Sequence, residues 1–87
     1  MEDLKWFRKS EQKQIIQGIE EQVAYEPAIE TRNHKPLRPN QMSTWELRIG
    51  RFRVFYDVRL PDQIVKVKAI GYKEGNRLFI RGEEYEL

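Results

Sequence analysis

Residues 45–71 read WELRIGRFRVFYDVRLPDQIVKVKAIG. Apolar and polar residues alternate with period two through three runs, punctuated by Gly50-Arg51 and Pro61-Asp62, which is the pattern of antiparallel strands joined by tight turns. A two-residue turn at Gly50-Arg51, which glycine at the first central position permits, sets Ile49 opposite Phe52, Leu47 opposite Val54 and Trp45 opposite Tyr56. These pairs make one apolar face. Successive side chains point to opposite sides of a strand, so the same register puts Arg48 opposite Arg53 and Glu46 opposite Phe55 on the other face. Continued through Pro61-Asp62, it pairs Val58 with Val65, Tyr56 with Val67 and Val54 with Ala69, and sets Asp57 against Lys66 and Phe55 against Lys68. Two arginines directly across a strand pair repel, so this face is expected to hold a counter-charge or to receive an anionic ligand.

Upstream, residues 2–9 read as helix, with Leu4 and Phe7 on one side. Ser10 suits the N-cap of a second helix in which Ile15, Ile16, Ile19 and Val23 recur at helical spacing, with Pro27 just beyond its end. The apolar stripe of such a helical hairpin needs a partner, and the Trp45/Leu47/Val54/Tyr56/Val58/Val67 face supplies it, so the isoleucines are core. Residues 28–44 hold Asn33, Pro36, Pro39, Asn40 and Ser43 and read as a basic loop crossing from helices to sheet, of a length usually kept for function. After Gly71 come a turn through Lys73 to Asn76, a short Leu78-Phe79-Ile80 run and an acidic tail over residues 82–87. The expected fold is α+β, a helical hairpin on one face of a small antiparallel β-sheet, in a single domain of residues 1–87.

With 87 residues there is no room for a second core, and without cysteine there is neither a disulfide framework nor a thiolate metal site. A single histidine argues against a zinc cluster, and no metal or cofactor is called for. No apolar run approaches the ~20 residues of a membrane span, and Glu2-Asp3 follows Met1 where a signal segment would be basic, so a soluble, cytoplasmic chain is expected. The net charge of +2 conceals an asymmetry: residues 1–30 carry four Lys/Arg against seven Asp/Glu, residues 31–56 six against one, and residues 57–87 six against six. The central block has the charge footprint of a surface that meets phosphates, although a solvated basic face would look the same.

Hydrolytic triads, a P-loop and a dinucleotide fingerprint are absent, since Gly71-Tyr72-Lys73-Glu74-Gly75-Asn76 has neither glycine spacing. The remaining chemistry is a set of cations, Arg48, Arg53, Lys68 and Lys73, with His34, Lys35 and Arg38 in the preceding loop. Such a set suits phosphoryl chemistry, where catalysis is largely the stabilisation of developing negative charge, and arginine grips phosphate oxygens bidentately. Phe55 and Tyr72 beside them could stack exposed bases of single-stranded RNA. Structural roles compete at each position: His34 as a solvated loop residue, Trp45 as core, Lys66 as the ion-pair partner of Asp57, Tyr72 as a surface ring and Glu46 as a balancing charge. The Arg48/Arg53 opposition resists such an account.

The order of helical hairpin, Lys35-Pro36-Leu37, Trp45-Glu46-Leu47-Arg48-Ile49, Gly50-Arg51-Phe52-Arg53-Val54-Phe55-Tyr56 and Ile70-Gly71-Tyr72-Lys73 resembles the RelE/ParE toxin superfamily of type II toxin-antitoxin systems, over essentially the whole chain. The resemblance implies a helical hairpin on one face of an antiparallel sheet, with the active residues on the opposite, concave face. It further implies a metal-independent, ribosome-dependent mRNA endonuclease that represses translation by driving an mRNA 2′-hydroxyl onto the adjacent phosphate. Carried over position by position, Arg53 matches the arginine at the scissile phosphate, Arg48 a basic residue on the preceding strand and Lys73 a late arginine that stabilises the leaving group or phosphate. Lys35 lies where some relatives place a carboxylate, and Lys35, Arg38, Phe55, Lys68 and Tyr72 form the implied RNA-binding surface.

Three departures accompany the resemblance. Glu46 stands where some RelE members have lysine, and Phe79 stands where they have a catalytic tyrosine, a hydroxyl that Tyr72 or Tyr85 would have to replace. The family's opening strand is missing before the first helix, which leaves a sheet edge open to self-pairing or to strand addition by a partner. Expected partners are a cognate antitoxin, the ribosome with its mRNA, and a second copy of the chain. The alternatives within the superfamily are a ParE-type gyrase poison, which binds protein and has no nuclease chemistry, and an inactive relative that only binds antitoxin.

Overall fold

The computed structural model describes residues 2–22, 33–40, 42–59 and 61–86. A short 3-10 helix, Glu2–Trp6, leads into α1, Lys9–Gln22, and six strands follow: β1 (His34–Pro36), β2 (Trp45–Ile49), β3 (Phe52–Arg59), β4 (Ile64–Glu74), β5 (Arg77–Ile80) and β6 (Glu83–Tyr85). All pair antiparallel with their sequence neighbours in the order β1-β2-β3-β4-β5-β6. The architecture is α+β, with one helix packed against a six-stranded meander.

Within residues 2–22 the expected helical hairpin is thus a single α-helix preceded by one 3-10 turn. The break falls at Phe7-Arg8, where Phe7 N–H donates to Leu4 O at 3.1 Å and the chain turns to drive the Phe7 ring edge-on against Phe52 (5.5 Å) and Tyr72 (6.2 Å). The helix is capped two residues before the expected Ser10. Arg8 N–H donates to Glu11 Oε1 at 3.0 Å and Arg8 O accepts from Gln12 N–H at 2.8 Å, the return half of a capping box. Ile15 and Gly18 are buried with Ile19 beside them, whereas Ile16 falls off the stripe and is 42% exposed. Gly18 joins the buried face because a β-carbon there would collide with Ile49 of β2, so a residue that weakens helices is what lets this one lie against the sheet. Val23 and Pro27 lie outside the described residues.

Between β2 and β3 the register is the expected one at all five pairs, from Trp45↔Tyr56 to Ile49↔Phe52, and Gly50 takes the positive φ (56°) that such a turn demands at its first central position. Between β3 and β4 the expected pairs Val58↔Val65, Tyr56↔Val67 and Asp57↔Lys66 form, but a bulge then shifts the ladder. Val54 faces Ile70 in place of Ala69, and Phe55 faces Ala69 in place of Lys68. The extra residue brings Ile70 and Tyr72 onto the helix side with Val65 and Val67, so the larger side chains join the main core and the smaller Ala69 turns away.

Two further expectations change. The loop over residues 28–44 contains an edge strand, β1, set against β2 by Arg48 N–H to Asn33 O at 2.9 Å and Leu37 N–H to Thr44 O at 2.8 Å, with Pro36 tolerated because the strand is an edge. The acidic tail forms β6, whose charged residues blunt the opposite edge. Beyond β1, the Asn40 side chain organises the loop, accepting from Met42 N–H (2.7 Å) and Ser43 N–H (3.0 Å) while donating to Arg38 O (2.7 Å) and Ser43 O (2.9 Å). That loop lays Leu37 and Met42 over Phe55, Ala69, Leu78 and Ile80, a second small core on the face away from α1.

Near the chain start, the carboxylate of Asp3 is buried, accepting from Ile70 N–H at 3.0 Å and from Arg81 Nη1 at 2.6 Å. It ties the 3-10 helix to β4 and to the Arg81-Gly82 turn, where both residues hold positive φ (52° and 76°). This hydrogen bond and ion pair offset part of the cost of a left-handed arginine.

Candidate functional site

Arg48 and Arg53 stand side by side on the face away from α1, as the register requires. Their counter-charge is Glu46, two residues before Arg48 on the same strand and so on the same face. Its side chain is 7% exposed, and Oε1 accepts from Arg48 Nε at 3.0 Å and lies 4.0 Å from Arg53 Nε. The opposition of the two arginines therefore has a structural resolution, with Glu46 in the balancing role.

The arginines differ in what they can reach. Arg48 is 41% exposed, whereas Arg53 is 14% exposed and folds back so that Nη1 donates to Gly50 O (2.7 Å) and Phe52 O (2.9 Å). Burial lowers the Arg53 pKa, Glu46 opposes that shift and Arg48 adds to it. The group nevertheless stays cationic at neutral pH, as guanidinium does in proteins. Arg53 thus turns toward its own backbone beneath Arg48 in this structure.

A cavity of about 710 Å³ opens on this face. It gathers four of the expected cations: Lys35 from β1, Arg38 from the following loop, Arg48 from β2 and Lys73 from β4. Lys73 is held by its N–H donating to Arg51 O at 2.8 Å and by its place opposite Leu78. Residues of both edge strands line the same cavity, so the sheet curls toward it. β6 brings Glu84 and Tyr85, with Glu86 following. Arg77 binds Glu84 at 2.8 Å and draws its carboxyl below the ordinary value. The cleft is therefore cationic from β1, β2 and β4, while on β6 Glu84 is already paired with Arg77 and Tyr85 lines the wall beside it.

Other expected site residues lie elsewhere. Phe55 is fully buried beneath Leu37 and Met42 and presents no ring face to a base, because the bulge and these two side chains together close a core over it. Tyr72 is on the α1 side, stacked on Phe79 at 5.4 Å and capped by the Arg51 guanidinium at 5.3 Å from its ring. Phe79 shares that side, so neither position can offer a hydroxyl to the cleft. Lys68, on the bulge, is exposed and borders a separate cavity of about 410 Å³ with Arg38 and Asp57. Asp57 accepts from Thr44 N–H at 2.7 Å, and no ion pair joins it to Lys66 among the described residues. His34, expected in solvent, is 5% exposed in β1 opposite Leu47.

The sequence reading missed Glu84 and Glu86 as cleft residues. The signal was present: Ile80-Arg81-Gly82-Glu83 is a hairpin turn with glycine second, and the alternation of Leu78 and Ile80 continues to Tyr85. Among the described residues no three His, Cys, Asp or Glu side chains gather as a metal site, and no helix is long and apolar enough to cross a membrane. No protein-family model, curated protein or solved structure matches the chain.

Proposed function

We propose that this chain is a RelE-like toxin, a metal-independent and ribosome-dependent mRNA endonuclease held in check by an acidic antitoxin. The reading comes from the sequence resemblance. The observation that supports it is the convergence of Lys35, Arg38, Arg48 and Lys73 on one cleft, on the sheet face opposite α1. In the proposed reaction an mRNA 2′-oxygen loses its proton and attacks the neighbouring phosphorus. The 5′-oxygen departs with a proton, leaving a 2′,3′-cyclic phosphate. Arg48 and Lys73 meet the phosphate as its negative charge grows, and Lys35 and Arg38 hold flanking phosphates. Glu46 and Arg53 orient Arg48. Removing one preorganised charge contact typically costs about two orders of magnitude in rate. Arg48→Ala and Lys73→Ala should each do so in a ribosome-programmed mRNA cleavage assay while leaving the thermal midpoint nearly unchanged. Absence of cleavage by the unaltered protein, with ribosomes and message present, refutes the assignment.

Two observations favour a ParE-type gyrase poison as second reading: Glu46 already neutralises much of the Arg48/Arg53 charge, and the Phe79 position offers no hydroxyl to this face. A gyrase supercoiling assay run beside the cleavage assay separates the two. The acidic antitoxin and a cytoplasmic location belong to both readings.

A further inference from the structure

We infer that the α1 side of the molecule carries a separate contact surface for single-stranded nucleic acid, built around Trp6 and the lysines that flank it. Trp6 is 62% exposed, while its neighbours Leu4 and Phe7 take the places in the core. All four Lys/Arg of residues 1–30, Lys5, Arg8, Lys9 and Lys13, fall within eight residues of this ring in sequence, and all are exposed. Lys5, Lys9 and Lys13 enter no ion pair among the described residues. Arg8 is 86% exposed and lies 3.9 Å from Glu11, whose other oxygen Arg51 takes at 2.8 Å. The Trp6 ring lies beside Gly82, so the exposed indole bridges the 3-10 helix and the β5–β6 turn.

An exposed indole next in sequence to the unpaired Lys5, with unpaired Lys9 and Lys13 following on α1, suits an unpaired base and its flanking phosphates: the ring stacks, and the ammonium groups displace counterions. Lys9 and Lys13 stand one helical turn apart, about 6 Å along the axis, a step that a flexible single strand can follow. A lipid surface fits less well. Ile16 is the exposed apolar residue on this stretch of α1, and Lys9, Lys13 and Glu20 share its helical face, so no continuous apolar face is offered to a bilayer. The surface is on the opposite side of the sheet from the cleft, and the inference holds whether or not the cleft cleaves RNA.

The test uses intrinsic fluorescence. In the full chain carrying Trp45→Phe, Trp6 is the remaining tryptophan. Titration with oligouridylate or oligoadenylate should quench it saturably, and the logarithm of the affinity should fall against the logarithm of salt with a slope of about −2, the value for three lysines on a single strand. In the chain with Trp45 intact, read by anisotropy of a labelled oligonucleotide in case Trp45→Phe disturbs packing, Trp6→Ala should weaken binding about tenfold or more. Lys5→Glu/Lys9→Glu/Lys13→Glu should do likewise, while Lys66→Glu should not. An unquenched Trp6 at saturation, or equal quenching by polyglutamate, overturns the inference. So does unchanged affinity in the triple variant, or a triple variant that loses self-association in place of oligonucleotide binding, which would mark a protein contact.

Discussion

Glu46→Gln keeps the shape of the side chain and removes the charge between Arg48 and Arg53. Unit charges 4 Å apart interact by about 4 kcal/mol at the effective dielectric of a partly buried site, and Glu46 stands 4.0 Å from Arg53 and 3.0 Å from Arg48. That gross attraction is offset by the desolvation of a carboxylate that is 7% exposed, a cost glutamine escapes, and solvent screens the share of Arg48, which is 41% exposed. What remains is Arg53, 14% exposed, with a like charge directly across the strand pair. Removing one partner of a fully buried pair costs about 3–5 kcal/mol, and the exposure of Arg48 reduces the expected loss to about 2–3 kcal/mol. In a domain of this size each kcal/mol moves the thermal midpoint by about 4–8 °C, so Glu46→Gln should melt about 10–20 °C below the parent. Thermal and urea unfolding at neutral pH and low salt would measure it. Inorganic phosphate should stabilise the variant more than the parent, because an anion can take the place of the carboxylate between the arginines. Glu46→Gln/Arg53→Met, which removes both buried charges, should recover most of the loss. A midpoint within about 2 °C of the parent, under half a kcal/mol at this size, refutes the account, as does a double variant no more stable than the single.

Gly18→Ala would stabilise an exposed helix by about 1 kcal/mol, but the collision with Ile49 should reverse the sign to a net loss of about 1–2 kcal/mol in urea unfolding. Asp3→Ala strands the buried Ile70 N–H and should cost about 1–3 kcal/mol; hydrogen exchange at Ile70 should accelerate accordingly. The carboxyl of Glu11 is drawn below its ordinary 4.5, first by the Arg8 N–H and then by Arg51. A depressed carboxyl stabilises the fold fully above its unfolded pKa and loses that contribution as pH falls through the folded value. The melting temperature of the parent should therefore fall more steeply than that of Glu11→Gln once pH drops below about 4.5; parallel curves would remove Glu11 from the account.

The pairing of β2 with β3 was decided by the sequence, and with it the placement of Arg48, Arg53 and Glu46 on one face and Leu47, Val54 and Tyr56 on the other. A two-residue turn and a period-two pattern are local, and either one sets the register without help from the rest of the chain. The β3–β4 bulge was half visible: Val65 and Val67 are two apart, yet Ile70 follows Val67 by three, a spacing a strand can bury on one face only by gaining a residue. Only the tertiary structure decided the rest of the site. Whether Arg53 faces a ligand or its own backbone, and whether Phe55 is a platform or a core residue, depend on what lies on the sheet's second face. That face is covered by Leu37 and Met42, which lie far apart in sequence from the Phe55, Ala69, Leu78 and Ile80 they meet. No periodicity announces such contacts, because they form only where the free energy of burying Phe55, Leu78 and Ile80 exceeds the entropy of ordering the chain that covers them.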